Sequence, residues 1–131
     1  MPINIDSALG PLPQALKLRA QRTEILASNL ANADTPNYKA RDFDFRAAMS
    51  RAQGGELPLK ATRPGHIRQS SASVGSAPLQ YRVPSQPSLD GNTVDAQAEQ
   101  AAFAENAVRY QATLTFLSGR IRGLMSAIKG E

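Results

Sequence analysis

Few side chains in this sequence could take part in catalysis. The single histidine, His66, lies in the turn sequence Arg63-Pro64-Gly65-His66, and the chain contains no cysteine. Asp42 and Asp44 flank Phe43, and we expect them to cap a helix that begins just after them. A hydrolytic or acid–base site needs a nucleophile, a base and an orienting group that converge. No such set is present, so the sequence predicts a protein that is not an enzyme.

The sequence also gives no support for a metal site, a nucleotide site or a membrane-spanning segment. A zinc site would need carboxylate ligands alone, and the glycines are too scattered to cradle a phosphate. The N-terminus lacks the basic and apolar regions of a secretory signal, and no window of about 18 residues is continuously apolar. We expect no cofactor and no small-molecule substrate. If the chain leaves the cytoplasm, a route independent of a signal peptide must export it.

Length and charge narrow the class of protein. A chain of 131 residues is the usual size of one domain. The net charge of +4 is dispersed and is not accompanied by a stripe of arginine and aromatic residues, so no nucleic-acid partner is expected. With no tryptophan, three tyrosines and four phenylalanines, the core must be thin and largely aliphatic.

The N-terminal part of the chain predicts a helix over about 11–32. Pro11 and Pro13 are tolerated in a first helical turn, and Pro36 ends the pattern. Spacings of four and three define a stripe with two polar interruptions. Its members are Leu12, Leu16, Arg19, Thr23, Leu26 and Leu30.

The C-terminal part has the most regular pattern in the chain. Eight apolar or aromatic residues alternate spacings of four and three, as a coiled-coil seam requires. This C-terminal seam comprises Phe103, Ala107, Tyr110, Leu114, Leu117, Ile121, Leu124 and Ile128. Asn92 or Thr93 could cap a helix over 94–129, which would be ~54 Å long. The N-terminal helix can cover only part of that length, so the remaining seam needs partner chains.

The resulting fold is mainly α, with long N- and C-terminal helices paired as an antiparallel coiled-coil hairpin. Residues 1–32 and 93–131 form one coiled-coil domain, and 33–92 form an irregular middle segment rich in proline and glycine. That segment predicts one short helix over about 42–52 and one short strand over 79–83. Ser70-Ser71-Ala72-Ser73 predicts a flexible loop tip.

The end of the N-terminal helix resembles flagellar rod and hook proteins. Residues 26–38 read LASNLANADTPNY, similar to the A-N-x-x-T-P-x-Y pattern that closes this helix in the family. The matching positions are Ala31, Asn32, Thr35, Pro36 and Tyr38. Pro36 would stop the helix and Tyr38 would pack back on its end. Asn37 stands where the family prefers glycine, and asparagine also tolerates a positive φ.

Four further blocks narrow the resemblance to the proximal rod subunits of that family. They are LRAQR at 18–22, YKARD at 38–42, PSLDGNTVD at 87–95 and FAENAVRYQA at 103–112. The first fifteen residues and the loop from 50 to 80 match poorly.

The resemblance implies a structural subunit that polymerises through its terminal helices into the rod, in the periplasmic space. Implied partners are copies of itself, other rod proteins, membrane-ring and rod-adaptor proteins of the basal body, and the flagellar type III export gate. Phe45 and Met49 resemble an F-x-x-x-Φ export-gate motif. The alternative is that these two residues share one face of an ordinary amphipathic helix.

The predicted assembly interface consists of stripe and seam residues from both helices. These are Leu12, Leu16, Leu26, Leu30, Phe103, Tyr110, Leu114, Leu117, Ile121, Leu124 and Ile128. A cytoplasmic coiled-coil adaptor or chaperone would need the same stripe without the family blocks. A small nucleic-acid-binding protein would instead show binding that weakens steeply with salt.

Overall fold

A computed structural model of the chain describes residues 4–54 and 77–130. The elements in order are α1 Ile5–Leu9, α2 Leu12–Ala31, β1 Arg41–Asp42, α3 Phe45–Ala52, β2 Gln80–Tyr81 and α4 Ala96–Lys129. The mainly helical fold with two long terminal helices is confirmed. The predicted loop tip at Ser70-Ser71-Ala72-Ser73 and the turn at His66 lie outside the described residues.

The two long helices form the predicted antiparallel hairpin. Asn29, near the end of α2, donates to Glu99, near the start of α4. Further along, Asn106 donates to Thr23, and Arg120 reaches the carbonyl of Ala8 in α1. Residues successively later in α4 therefore contact residues successively earlier in the N-terminal part of the chain, which is the order of an antiparallel pair. At 34 residues, α4 is ~51 Å long.

The start of α4 differs from the prediction. Its N-cap is Asp95, whose carboxylate accepts hydrogen bonds from the amides of Gln97 and Ala98 at 3.1 and 3.2 Å. Asn92 and Thr93 were the wrong caps, because both side chains are bound elsewhere, to the end of α2 and to Ala40. An aspartate at this position also places negative charge at the positive end of the helix dipole.

The two aspartates around Phe43 have different roles. Asp44 caps α3 as predicted and accepts from the amides of Arg46 and Ala47. Asp42 does not cap a helix; it belongs to β1 and its carboxylate binds arginines. The prediction that both residues cap α3 was therefore wrong for Asp42.

A second face of α2 holds a small apolar core that the stripe analysis did not include. Leu18 is buried with Phe43 and Ala48. Around these three pack the half-buried residues Ile25, Phe45, Met49 and Ala77. This cluster attaches α3 to the outside of the hairpin, so α2 is covered on two faces.

The described parts of the middle segment pair as a short antiparallel ladder. Arg41 lies opposite Tyr81, and Asp42 lies opposite Gln80. The predicted strand over 79–83 is observed as the shorter β2, and its partner β1 was not predicted. Two-residue strands leave no alternating pattern that periodicity could detect. The ladder nevertheless places Arg82 beside both Asp42 and the start of α4.

Candidate assembly surface

The C-terminal seam divides into two columns with different environments. Four of its residues are half-buried: Phe103, Tyr110, Leu117 and Leu124. The other four are exposed, and we call them the outer column: Ala107, Leu114, Ile121 and Ile128. Exposure within this column rises from 37% at Leu114 to 41% at Ile121 and 85% at Ile128. The outer column is thus an apolar stripe that the chain itself leaves partly exposed, and most exposed at its C-terminal end.

A third column on α4, which the apolar pattern could not reveal, is polar and buried. Glu99, Asn106 and Thr113 recur every seven residues and are 0%, 1% and 8% exposed. The Nδ2 of Asn106 donates to the carbonyl of Arg19 and to Oγ1 of Thr23, both at 2.9 Å. Part of the hairpin interface is therefore hydrogen-bonded and polar, while α4 keeps half of its apolar seam on the outside.

On α2, the predicted stripe serves the inside of the hairpin. Leu26 is 0% exposed, so it lies wholly within the folded chain. Leu12, Leu16 and Leu30 are half-buried. In the free chain the surface available to a partner therefore comes mainly from α4.

An ionic network joins the middle segment to both long helices. Asp42 Oδ2 accepts from Nη2 of Arg22 at 2.9 Å and from Nη2 of Arg82 at 2.6 Å. The other terminal nitrogen of Arg82 lies 2.6 Å from Oε1 of the fully buried Glu99. Two positive and two negative charges are thus matched at the start of α4, as burial of charge requires.

The carboxylate of Asp42 is held in its charged form. Burial acts to raise its pKa, but hydrogen bonds from Arg22, the amide of Phe43 and Arg82 outweigh it and lower the pKa below its ordinary value. The same hydrogen bond raises the pKa of Arg22. Because neither partner readily loses its charge, this pair stays ionised at neutral pH.

Asn29 connects the network to the chain after α2. Its Nδ2 donates to the carbonyl of Arg41 at 2.7 Å and to Glu99 Oε2 at 3.2 Å. Its Oδ1 accepts from the amide of Arg41 and from the hydroxyl of Tyr38. All of its hydrogen-bonding capacity is used, and the residue is fully buried. Asn29 was not among the predicted site residues.

The end of α2 is closed by a residue sixty positions away. Asn92 is 6% exposed, and its Nδ2 lies 3.0, 2.7 and 3.0 Å from the carbonyl oxygens of Asn32, Ala33 and Thr35. Its Oδ1 accepts from the amide of Val94. We call this junction of 32–40 with 88–94 the clasp. It satisfies carbonyls that a helix end otherwise leaves without partners.

Backbone contacts complete the clasp. The amide of Asn37 donates to the carbonyl of Asp90 at 2.9 Å, and the amide of Thr93 donates to the carbonyl of Tyr38 at 3.0 Å. Asn37 has φ 63°, as the sequence predicted, and Gly91 has φ 74°. A Cβ on Gly91 would lie 2.4 Å from Oδ1 of Asn37, so the contact requires glycine.

The family motif residues lie at this junction. Tyr38 packs back on α2 as predicted, and its hydroxyl lies 3.3 Å from Oγ of Ser28 and 3.3 Å from Oδ1 of Asn29. Asn32 donates to the carbonyl of Ser28, and Thr35 donates to Oδ1 of Asn32. Ala31 is the last residue of α2, and Pro36 lies exposed in the following turn.

Phe45 and Met49 share one face of α3 and pack on the Leu18 cluster. The guanidinium of Arg19 lies over the Phe45 ring, 4.2 Å from its centroid. Burial, assisted by the charges of Arg109 and Arg22, lowers the pKa of Arg19. In the folded chain these two side chains therefore serve the core, and only an opened chain would present both of them fully.

The described residues offer little for small-molecule chemistry. Among residues 4–54 and 77–130, no group of three histidine or carboxylate side chains could hold a metal ion. A depression of about 140 Å³ is lined by Arg41, Leu79, Gln80 and Tyr81. Over the same residues, every helix is too short or too polar to cross a membrane. The candidate surface for binding a partner is the outer column.

The chain is similar to a known protein family and to several known proteins. The model of the family described as "Flagella basal body rod protein" matches residues 14–39. The flagellar basal body rod protein FlgB of Escherichia coli K12 is 47% identical over 131 residues, covering 95% of each chain. The FlgB proteins of Salmonella typhimurium LT2 and Cereibacter sphaeroides ATCC 17029 are 46% and 51% identical, covering 96% and 94% of each chain. The chain belongs to the FlgB family of flagellar basal body rod proteins.

Membership of the FlgB family determines the class of function. The chain is a structural subunit of the flagellar basal body rod and not an enzyme. The family match over 14–39 spans most of α2 and the first part of the clasp. The adaptor and nucleic-acid alternatives are therefore not retained.

Proposed function

We propose that this FlgB-family subunit joins the rod through the outer column of α4. Ala107, Leu114, Ile121 and Ile128 would pack on helices of neighbouring subunits and complete the coiled coil that the single chain leaves half-covered. Residues 1–32 and 93–131 then act as one coiled-coil unit, with the middle segment attached at its side.

The exposure of this regular apolar column is the observation that carries the proposal. A soluble chain has no reason to keep three large aliphatic residues in line at heptad spacing unless another surface covers them. The polar hairpin interface supports the same conclusion. Glu99, Asn106 and Thr113 occupy positions on the inside of the hairpin where a self-sufficient pair of helices would use apolar residues.

The partners follow from the family and the column together. We propose copies of this chain and other rod proteins as lateral neighbours, and membrane-ring or rod-adaptor proteins as contacts at the base of the rod. The half-buried seam residues Phe103, Tyr110, Leu117 and Leu124 hold the hairpin together, so they support the interface from behind.

Export would precede assembly in this scheme. We propose that the chain passes through the flagellar type III apparatus unfolded and reaches the periplasmic rod without a signal peptide. The packing of Phe45 and Met49 on the Leu18 cluster supports this order, because a gate that binds these residues has to act before α3 docks.

The test replaces the apolar column without touching the hairpin. Ile121→Gln with Ile128→Gln keeps good helix formers at exposed positions. The matched control is Val108→Gln, an apolar residue of 71% exposure on a different side of α4. Circular dichroism of the purified chains should be unchanged. Basal bodies should lack the double variant, with loss of motility, and should retain the control. Wild-type incorporation of the double variant would refute the proposal.

A further inference from the structure

The turn at residues 88–91 of the clasp presents one side chain that the hairpin and the outer column do not use. Leu89 is 111% exposed, so the rest of the chain does not cover it. It lies in a turn in which the amide of Gly91 donates to the carbonyl of Ser88 at 3.2 Å. We call Leu89 on this turn the knob.

The turn that carries the knob is held firmly. Asp90 Oδ1 accepts from the amide of Asn92 at 3.0 Å and is hydrogen-bonded to the hydroxyl of Ser88. The carbonyl of Asp90 accepts from the amide of Asn37 across the clasp. An exposed side chain on a fixed turn is preorganised for a contact, because the backbone that carries it loses little conformational entropy when it docks.

The knob and the most exposed part of the outer column lie toward opposite ends of the hairpin. Leu89 precedes the first turn of α4, whereas Ile121 and Ile128 lie in its last third, along a helix ~51 Å long. Two different apolar patches at opposite ends of one chain suit a head-to-tail contact, in which the same pair of surfaces repeats from copy to copy.

The charges near the two patches are complementary. Residues 84–98 contain Asp90 and Asp95 and no basic residue. Lys39 donates to the carbonyl of Gly91 on the same turn, so the two acidic residues and this lysine give that end a net charge of −1. Residues 114–130 contain Arg120, Arg122 and Lys129 and no acidic residue. Opposite charge beside two apolar patches favours contact between unlike ends of two copies, and it disfavours contact between two like ends.

We propose that Leu89 of one copy docks on the outer column of a second copy, near Ile121, in a repeating head-to-tail contact. The proposal rests on the use of the outer column in rod assembly and adds one contact at the Ile121 end of that column, beside the helices of neighbouring subunits. It gives the Leu89 turn a contact role of its own, separate from the support that the following residues give to the clasp.

Disulfide cross-linking tests the geometry directly, because the chain has no cysteine of its own. Basal bodies from cells that make the Leu89→Cys, Ile121→Cys double variant should yield a ladder of dimers, trimers and higher species on oxidation. Each single variant should yield none. Dimers from Ile121→Cys alone would show that the column packs on itself and would overturn the proposal. So would basal bodies that contain the double variant but give no ladder.

A substitution decides the question if the cysteine variants do not enter basal bodies. Leu89→Ser should keep the wild-type circular dichroism and be lost from basal bodies, while Val83→Ser, at an exposed apolar position of 88%, should be retained. Retention of Leu89→Ser, or loss of both variants, would overturn the proposal. Failure of the proposed use of the outer column would look different, because then basal bodies would retain the Ile121→Gln, Ile128→Gln double variant.

Discussion

The Nδ2 atom of Asn92 lies 2.7 Å from the carbonyl oxygen of Ala33, across 59 residues of sequence. With its further contacts to Asn32 and Thr35, this one amide closes the end of α2 just before α4 begins. This contact holds the end of α2 beside the segment that leads into α4.

Asn92→Ala should destabilise the folded chain by about 1–3 kcal/mol, because the carbonyl oxygen of Ala33 loses its donor and a buried amide is replaced by a smaller side chain. The carbonyl oxygens of Asn32 and Thr35 keep backbone amides as donors. Urea unfolding followed by circular dichroism measures the change. Gln100→Ala, at an exposed position of α4, is the control and should leave the midpoint nearly unchanged. Equal midpoints for the two variants would contradict the clasp.

Two glycine substitutions should act in opposite directions. Gly91→Ala forces a side chain into φ 74° and against Asn37, so it should destabilise by more than about 1 kcal/mol. Gly119→Ala lies inside α4 with open space around it and should stabilise by about 0.5–1 kcal/mol. Thermal unfolding of the purified chains compares the two variants. A Gly119→Ala chain that is more stable but fails to assemble would show that a neighbouring helix approaches there.

The stability of the chain should fall in acid through Asp42. Its pKa is lowered in the folded state, so the unfolded chain binds the proton more readily, with a pKa of about 3.9. The contribution of this carboxylate is therefore complete above about pH 4 and is lost as the pH falls through the folded-state pKa.

Asp42→Asn tests this linkage. The variant should be less stable near neutral pH, and its unfolding free energy should depend less on pH below about 4 than that of the wild type. Urea titrations at several pH values provide the measurement, with the exposed Asp34→Asn as control. An unchanged acid dependence in Asp42→Asn would show that the ionic network does not hold the middle segment.

Equivalent substitutions in the two seam columns should separate folding from assembly. Leu117→Gln alters a half-buried residue of α4 and should cost about 1–2 kcal/mol of stability. Ile128→Gln, at 85% exposure, should change stability by no more than about 0.5 kcal/mol. Urea unfolding gives both values. If Ile128→Gln unfolds the chain as readily as Leu117→Gln, the division of the seam is wrong.

Sequence periodicity predicted the long helices, in which apolar residues recur at a regular spacing. It missed the contacts between residues that have no regular spacing. The long helices, the capping role of Asp44 and the seam positions follow from local pattern. The buried column of Glu99, Asn106 and Thr113 was missed because a search for apolar residues passes over polar ones. Glu99 and Asn106 are hydrogen-bonded to α2, and Thr113 donates to a carbonyl of its own helix. Only the seven-residue spacing of this buried column, which lies next to the half-buried apolar one, could have signalled it.

The contacts between distant parts of the chain could not be predicted from the sequence for another reason. Nothing near Asn92 indicates that its amide meets the end of α2, and a local rule assigned it to the nearest helix start instead. Leu18 and Ile25 lie off the apolar stripe, and only the docking of α3 makes them core. The clasp and the ionic network depend on pairs 17 to 60 residues apart, for which one sequence carries no periodic signal.

Solvent accessibility of the outer column, before and after assembly, tests most directly whether this column builds the rod. A single cysteine at position 121 can be labelled with a maleimide in the free chain and in purified basal bodies. We predict ready labelling in the free chain and strong protection in the rod, with less protection for a cysteine at Val108, on a different side of α4. Equal labelling of position 121 in both states would contradict the assignment of the outer column as the assembly surface.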